Sequence, residues 1–493
     1  MGSRDTKEAE GERRIRKRPA FSLPNKGKVK RYLLTCAQNN TKLHDQLWSN
    51  LSRFAAHIDA PLFVATFTYS KATLGSKGAK RKTAKEQDND REWWDERIND
   101  HILDESVELA PGLVWCGELQ ILPTAVNPIS GMESYTGRSS SIIPHTKFAV
   151  HCVPSPKHAG TKFIYTTGTV TLRNYIQKKA GQKASFHHGY GALIVEVDSD
   201  GNWFVRQLNA DSEGTFYDFD TQIKDGKVTF GLMPEAIVWG DLHECELETE
   251  MRALCWGEGG ILDTLRPKRQ VVHDLLDFHS QKYHDRDDPW KMFEKYLAKE
   301  LNVRTEIRHS KNLLKMMSRK WCETVIVHSN HDEMFTRWLK DGDFRADPRN
   351  TKFFLQANLA AYRWMSHRPR QSFHPLEWAC GLSEGWRIKF LRQDEPYIVC
   401  PDAHGGVELG MHGHKGANGG KGSLRTFART GRKSIIGHSH TAGHIEGAMQ
   451  VGVMAKLDHG YNIGMSSWSQ TNALVYPNGK RTLFTIWNGK WRA

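Results

Sequence analysis

The chain is predicted to be an α/β protein, on three observations. Its folded part opens with runs that alternate as strand, helix and strand. Its second half holds short β-branched segments that each give way to a loop rich in Asp, Asn and His. Between those loops lie two charged stretches with apolar residues at helical spacing.

Taken in order, residues 1 to 30 hold almost no large apolar side chains and cannot bury enough surface to offset the entropy of ordering. With Arg13, Arg14, Arg16, Lys17 and Arg18 they are expected to form a flexible basic tail. From residue 31, RYLLTCA reads as a strand, LHDQLWSNLSRFAAHI as an amphipathic helix and PLFVATFTY as a second strand, a βαβ-like opening. Residues 71 to 92 are polar and Lys-rich, an exposed loop able to follow a charged backbone, after which EWWDERINDHIL resumes a helical pattern. Strands dominate from 113 to 230, with KFIYTTGTVTL, ALIVEVDSDGNWFVRQL and KVTFGLM as clear cases. The DSDGNW segment suits a hairpin turn, because Asp-Gly and Gly-Asn tolerate positive φ. A boundary is placed near residue 231, where the strand EAIVWGD begins, so that 31 to 230 form an additional N-terminal α/β domain and 231 to 493 a second domain. Helical insertions are expected in the latter near 289 to 320 and 333 to 385.

The composition, 39% hydrophobic and 25% charged over 493 residues, suits two folded units plus tails. No apolar run approaches the roughly 18 residues of a membrane span, and the first thirty residues lack the apolar core of a signal sequence. A protein of the cytoplasm without membrane contact is expected. The eight cysteines are scattered with no CxxC, which suits reduced thiols in ordinary buried positions. A formal charge of +13 calls for a polyanionic partner, nucleic acid above all.

Five segments carry the chemistry: WGDLH, HDLLD, HSNHDE, MHGHKG and IGHSHT. Two divalent ions about 3.5 to 4 Å apart can polarise a phosphoryl group, provided a carboxylate is shared and neutral ligands complete each sphere. Asp241 and His243 are alternate residues leaving a strand and can chelate one ion. Asp274, at the end of a short apolar run, is the natural shared carboxylate. Asn330 follows the β-branched ETVIVHS and offers a carbonyl oxygen, while His331 beside it should face the substrate. His412 ends a strand-like VELGM, and His438 and His440 repeat the alternate-residue chelate after KSIIG. Asp277 and His279 follow Asp274 closely enough to support its neighbours. His187, His188, His404 and His414 read as ordinary core or surface residues.

These segments resemble the calcineurin-like metallophosphoesterase superfamily, whose pattern runs D-x-H, GD-x-x-D, GNH-D/E, H-G and GH-x-H. The resemblance covers roughly 231 to 493 and implies a four-layer α-β-β-α sandwich. It implies a first ion on Asp241, His243, Asp274 and His440, and a second on Asp274, Asn330, His412 and His438. It makes His331 the catalytic histidine, with Asp332 orienting its ring. The pattern is departed from at His273 and Ser329, where glycine is usual.

For the substrate, the segment from Lys415 to Lys433 lies between two ligand segments and carries Lys415, Lys421, Arg425, Arg429, Arg432 and Lys433 with no acidic residue. Its glycines let the backbone approach phosphates, so a long polyphosphate substrate is expected. Nucleases of the double-strand-break-repair type in that superfamily use the same dimetal core, and the whole-chain arrangement, with segments such as RYLLTCAQNNTKLHDQLW and FHHGYGALIVEVD, is also similar to phage early proteins linked to DNA transfer and host-DNA degradation. The implied activity is a metal-dependent DNA nuclease of the host bacterial cytoplasm in which a hydroxide held between two ions attacks the phosphodiester. Manganese is the expected ion, with magnesium, iron and zinc as alternatives. A phosphatase for monoesters or cyclic nucleotides, and a nucleic-acid-binding assembly protein with a structural metal site, are the competing readings. Self-association is left open.

Overall fold

The computed structural model describes residues 28 to 70, 92 to 383 and 385 to 493. Most of the expected basic tail and of the Lys-rich loop, residues 1 to 27 and 71 to 91, lies outside the described residues.

The fold is mixed α/β. A six-stranded sheet runs, in spatial order, through Ile388–Phe390, Glu323–Ile326, Arg269–Val272, Ala236–Val238, Thr471–Val475 and Arg481–Thr485. The first four strands are parallel, and Thr471–Val475 is antiparallel to both its neighbours. Parallel strands are covered on both faces, which is why these read as short β-branched runs rather than as alternating ones. Ala236, Val238, Val271 and Val325 join a core shared with a second sheet, whereas Ile237, Val272 and Ile326 pack against helices.

The second sheet has ten strands, and it overturns the boundary expected near residue 231. Its order is Ile398–Val399, Val407–Glu408, Lys433–Ile436, Ala448–Gln450, Gly443–Ile445, Ala149–Val153, Lys162–Thr166, Ser140–Ile143, Leu113–Cys116 and Ser106–Ala110. Gly443–Ile445 pairs antiparallel with Ala149–Val153 in the register Gly443↔His151. Half of the sheet therefore comes from each side of residue 231, and Ile142, Phe163, Ile435 and Met449 lie in one core. Splitting the chain there would leave two open sheet edges, each a row of unpaired backbone groups.

The βαβ opening forms as expected, with Lys30–Gln38 parallel to Leu62–Phe67. Gly191–Val197 and Trp203–Asn209 complete a four-stranded sheet, joined by the expected hairpin turn in which the Asp198 carboxylate accepts from the Asp200 and Asn202 backbone. The expected helix over EWWDERINDHIL is instead a 3-10 turn, Glu96–His101. Asp95 caps that turn and pairs with Arg97, and Asn99 and Asp100 are residue types that disfavour a helix interior.

Among the described residues the α-helices are α1 (Asp45–His57), α2 (Lys179–Phe186), α3 (Thr249–Trp256), α4 (Ile261–Leu265), α5 (Pro289–Leu297), α6 (Val303–Met317), α7 (Asn330–Asp341), α8 (Thr351–His367), α9 (Pro375–Cys380) and α10 (Leu424–Ala428). α1 covers one face of the four-stranded sheet. α3, α4, α6, α7 and α9 bury their apolar faces against the six-stranded sheet. The outer face of the ten-stranded sheet is covered by α10, through Phe427 and Ala428, and by an irregular segment that contributes Leu119, Ile121, Ile129 and Met132. Among the described residues no helix is long and apolar enough to cross a membrane.

Candidate metal centre

Parallel strands end on one edge of their sheet, so the loops that leave them meet there. The loops after Ala236–Val238, Arg269–Val272 and Glu323–Ile326 carry Asp241, Asp274 and Asn330 to that edge. In the facing sheet Val407–Glu408 and Lys433–Ile436 are also parallel neighbours, and the loops after them deliver His412, His438 and His440. All seven expected ligands come together. Ligand atoms of Asp241, His243, Asp274 and His440 lie within 4.8 Å of one another, and all four residues are buried. Beside them, Asn330 Oδ1 is 3.0 Å from His412 Nε2 and 3.1 Å from His438 Nδ1. Asp274 Oδ2 is 3.5 Å from His243 Nε2 and 3.3 Å from His412 Nε2, so a single carboxylate oxygen faces both groups.

The backbone beneath this cluster is unusual. His243, Asp274, His438 and His440 have φ of 44°, 44°, 79° and 59°. A left-handed L-residue costs roughly 1 to 2 kcal/mol, so four ligands in that region need strong external restraint. Part of it comes from Leu242 N donating to His273 O and His243 N to Asp274 O, which zip the two loops together. Asp241 and His243 thus converge through a left-handed turn rather than as alternate residues of a strand, because the strand has already ended at Val238. The approach of the IGHSHT loop depends on Gly437, where a methyl group would overlap the Asp241 carboxylate.

The residues present fit divalent cations. Asp241 Oδ1, Asp274 Oδ1, His273 Nε2 and His440 Nδ1 are buried with no hydrogen-bond partner, a costly state for groups that can coordinate a cation. His243 Nε2 and His440 Nε2 face each other at 2.9 Å with Asp241 Oδ2 3.2 Å from the latter, an arrangement of lone pairs aimed at one point. Burial pushes the pKa of His438 down to about 4 and that of His440 to about 3, which keeps both imidazoles in the neutral form that ligates. Burial pushes the Asp274 carboxyl up, but His412, His331 and His243 outweigh it and hold it well below the carboxylate range. Burial disfavours charge on His412, yet Asp274, Asp241 and Asp332 raise its pKa to about 9. Carboxylate, amide oxygen and imidazole together suit manganese, iron or zinc.

His331 stands at the rim of the first group, its ring centroid 4.7 Å from that of His243. Its expected partner was Asp332, and here the structure differs. His331 Nδ1 is 2.7 Å from the Asp277 carbonyl oxygen and 3.4 Å from Asp277 Oδ1. Asp332 is the third residue of α7, where it forms a capping box with Ser329. Burial, then Asp274, pushes its carboxyl up to about 7. The helix start thus takes the Asp332 side chain away from His331, and Asp277 supplies the supporting carboxylate. Asp277 also binds His243 Nδ1 at 2.8 Å and Lys282 Nζ at 3.2 Å. Burial pushes Asp277 up, but these partners and His331 hold it well below the carboxylate range. It is the second aspartate of HDLLD, so the D-x-x-D spacing already marked it.

Two further histidines join the cluster. His273 is fully buried, and its ring nitrogen lies with a carboxylate oxygen of Asp241 and a ring nitrogen of His412 in a second set of potential ligands. His459, whose ring is 5.2 Å from that of His243, comes from a loop more than two hundred positions away that carries no ligand-like spacing. His188 is an ordinary core residue, bound to Tyr175 Oη and Thr171 O, and His414 lies beside Glu333.

The basic segment divides. Lys421, Arg425, Arg429 and Arg432 are exposed; Gly422 N donates to His414 O, which keeps Lys421 close to the ligands, whereas Arg432 leads into the far end of Lys433–Ile436. Lys415 pairs with Glu333 at 3.2 Å, and Lys433 is half-buried with its ammonium on Ala403 O.

No protein-family model matches the chain. Over 480 residues it is 36% identical to Protein A1 of Escherichia phage T5, an alignment covering 94% of this chain and 83% of that protein. The chain belongs to the family of that phage protein.

Proposed function

We propose that the chain is a calcineurin-like two-metal phosphoesterase that hydrolyses DNA phosphodiester bonds. The observation that carries this reading is the convergence of seven expected ligands around Asp274, whose carboxylate faces both groups at once. The two facing sheets, with a helical layer outside one and α10 outside the other, support a four-layer α-β-β-α plan whose fourth layer is thin.

A pair of divalent cations, manganese being the expected one, would supply Lewis acidity at the phosphoryl group and make a water easier to deprotonate. The chain's own groups do the rest. Asp277 holds His243 by Nδ1, which leaves Nε2 free to point into the cluster. The Asp277 carbonyl oxygen can only accept, so His331 carries its hydrogen on Nδ1 and turns Nε2 outward, in position to exchange a proton with the departing oxygen. Lys421, held near the ligands because Gly422 N donates to His414 O, would with the other exposed cations of its segment neutralise phosphates along a long substrate, a need that a small monoester does not have.

The test is cleavage of supercoiled plasmid with Mn²⁺, with EDTA, and by Asp274→Ala. Nicking that requires both the metal and Asp274 is expected. Turnover of a small phosphoester without any DNA cleavage by the same preparation would overturn the DNA reading and favour a phosphatase. Metal-independent cleavage would overturn the two-metal mechanism.

A further inference from the structure

A groove of about 1080 Å³ lies between α6, α8 and α9 and shares no residue with the metal centre. One wall is cationic: Arg304, Arg308 and Lys311 line it from α6 at i, i+4 and i+7, the spacing that puts side chains on one helix face, with the Lys311 ammonium donating one hydrogen bond to Gly381 O and keeping its charge. Arg363 of α8 adds a fourth positive charge. The floor is aromatic. Phe353, Trp378, Phe373 and Trp364 follow one another with ring centroids 6.0, 6.1 and 6.3 Å apart, and all four are half-buried.

No acidic residue lines the groove. Glu306 of α6 turns inward to accept from His279 N and Ser280, and Glu377 of α9 is held by Arg392 at 2.7 Å. Among the described residues, no carboxylate pairs with Arg304, Arg308 or Arg363. Clustered unneutralised cations raise the local positive potential and attract a polyanion, while the half-buried rings leave part of their surface for flat groups to stack on, although Arg368 lies 4.0 Å over Trp364 and Phe335 covers one face of Phe353. Single-stranded nucleic acid presents both chemistries along one chain, and such grooves bind it without sequence preference because every base has a π-face. An acidic peptide would satisfy the arginines and leave the rings unused. A second copy of a chain carrying +13 is a poor electrostatic match for a cationic wall.

We propose that the groove binds single-stranded nucleic acid, its bases stacked along Phe353, Trp378, Phe373 and Trp364 and its phosphates against Arg304, Arg308, Lys311 and Arg363. This binding is separate from the metal centre and does not rest on the phosphoesterase reading. The groove would hold an unpaired strand whether or not the chain cleaves it.

The test uses the full chain with a fluorescein-labelled oligothymidylate of 20 nucleotides in EDTA, so that binding is read by anisotropy without hydrolysis. Arg304→Gln/Arg308→Gln/Arg363→Gln, a change confined to exposed side chains, is expected to weaken binding by about tenfold or more. It should also reduce the slope of log K against log salt by about 2, since each single-strand phosphate contact accounts for about 0.7. Affinity within twofold of the unaltered chain, with an unchanged slope, would overturn the proposal. A shift in sedimentation with unaltered DNA affinity would overturn it in favour of a self-association face. Because the segment from Lys415 to Lys433 is also basic, a second measurement maps photo-crosslinks from 5-iodouridine oligonucleotides. Crosslinked peptides containing Phe373, Trp378 or Trp364 are expected, and crosslinks confined to residues 415 to 433 would overturn the assignment. Loss of metal-dependent cleavage in the plasmid assay leaves both readouts untouched.

Discussion

Asp277→Asn separates support of the metal ligands from support of the fold. The carboxylate is 1% exposed, accepts from His243 Nδ1 at 2.8 Å, and is paired with Lys282, itself only 13% exposed, at 3.2 Å. An amide of the same size removes the charge. Whichever way it turns, it cannot serve both partners as a carboxylate does, and with its NH₂ toward Nδ1 it would force the hydrogen of His243 onto Nε2, the ligating atom. Loss of such a supporting carboxylate typically lowers metal affinity about 10- to 100-fold, or about 1.4 to 2.7 kcal/mol. Breaking a buried ion pair by removing one partner costs about 3 to 5 kcal/mol because the remaining charge is stranded. For 493 residues the unfolding entropy is about 1 kcal/mol/K, so the melting temperature should fall by about 3 to 5 °C. Asp277→Asn/Lys282→Met removes the stranded ammonium and should recover most of that loss, while Mn²⁺ affinity measured by calorimetry stays depressed. If the double variant bound Mn²⁺ as the unaltered chain does, Asp277 would be acting through Lys282 alone and the argument from His243 would be refuted.

Other consequences are open to simple measurement. Gly437→Ala is expected to push the IGHSHT loop off Asp241 and reduce bound metal below two ions per chain by elemental analysis, with overpacking of about 1 to 3 kcal/mol; full occupancy would mean that the loop can yield. Lys480 is half-buried, and burial followed by the charge of Lys433 pushes its pKa down to about 8. The folded state therefore binds fewer protons than the unfolded one between about pH 8 and pH 10.4, and stability rises with pH through that window. Lys480→Met should raise the melting temperature at pH 7, with the gain fading by about pH 10.5, and a gain independent of pH would point to packing instead. A fragment of residues 231 to 493 is expected to aggregate, because Gly443–Ile445 loses its partner strand Ala149–Val153. A monomeric fragment with native circular dichroism would contradict that dependence.

Elements whose cause is local can be read from the chain without its fold. The βαβ opening, the DSDGN hairpin and the β-branched strands before Asp241, Asp274 and Asn330 follow from periodicity and turn chemistry over fewer than twenty residues each. The ligand segments were legible for a related reason. Parallel strands deliver their following loops to one edge, so the loops carrying Asp241, Asp274 and Asn330 already imply a meeting point, whereas the loops carrying His412, His438 and His440 leave a second sheet that packing brings to face the first. Contact between distant segments depends instead on how the folded chain packs. Nothing near Ala149–Val153 states that it will pair with Gly443–Ile445, since short strands carry little register information beyond their apolar face. The support of His331 was likewise settled by competition: Asp332 was drawn into the α7 cap by Ser329, and Asp277, held charged by His243 and Lys282, took its place. Local pattern names which groups are present, whereas partner choice depends on which of several nearby acceptors remains unused once backbone and burial have been satisfied.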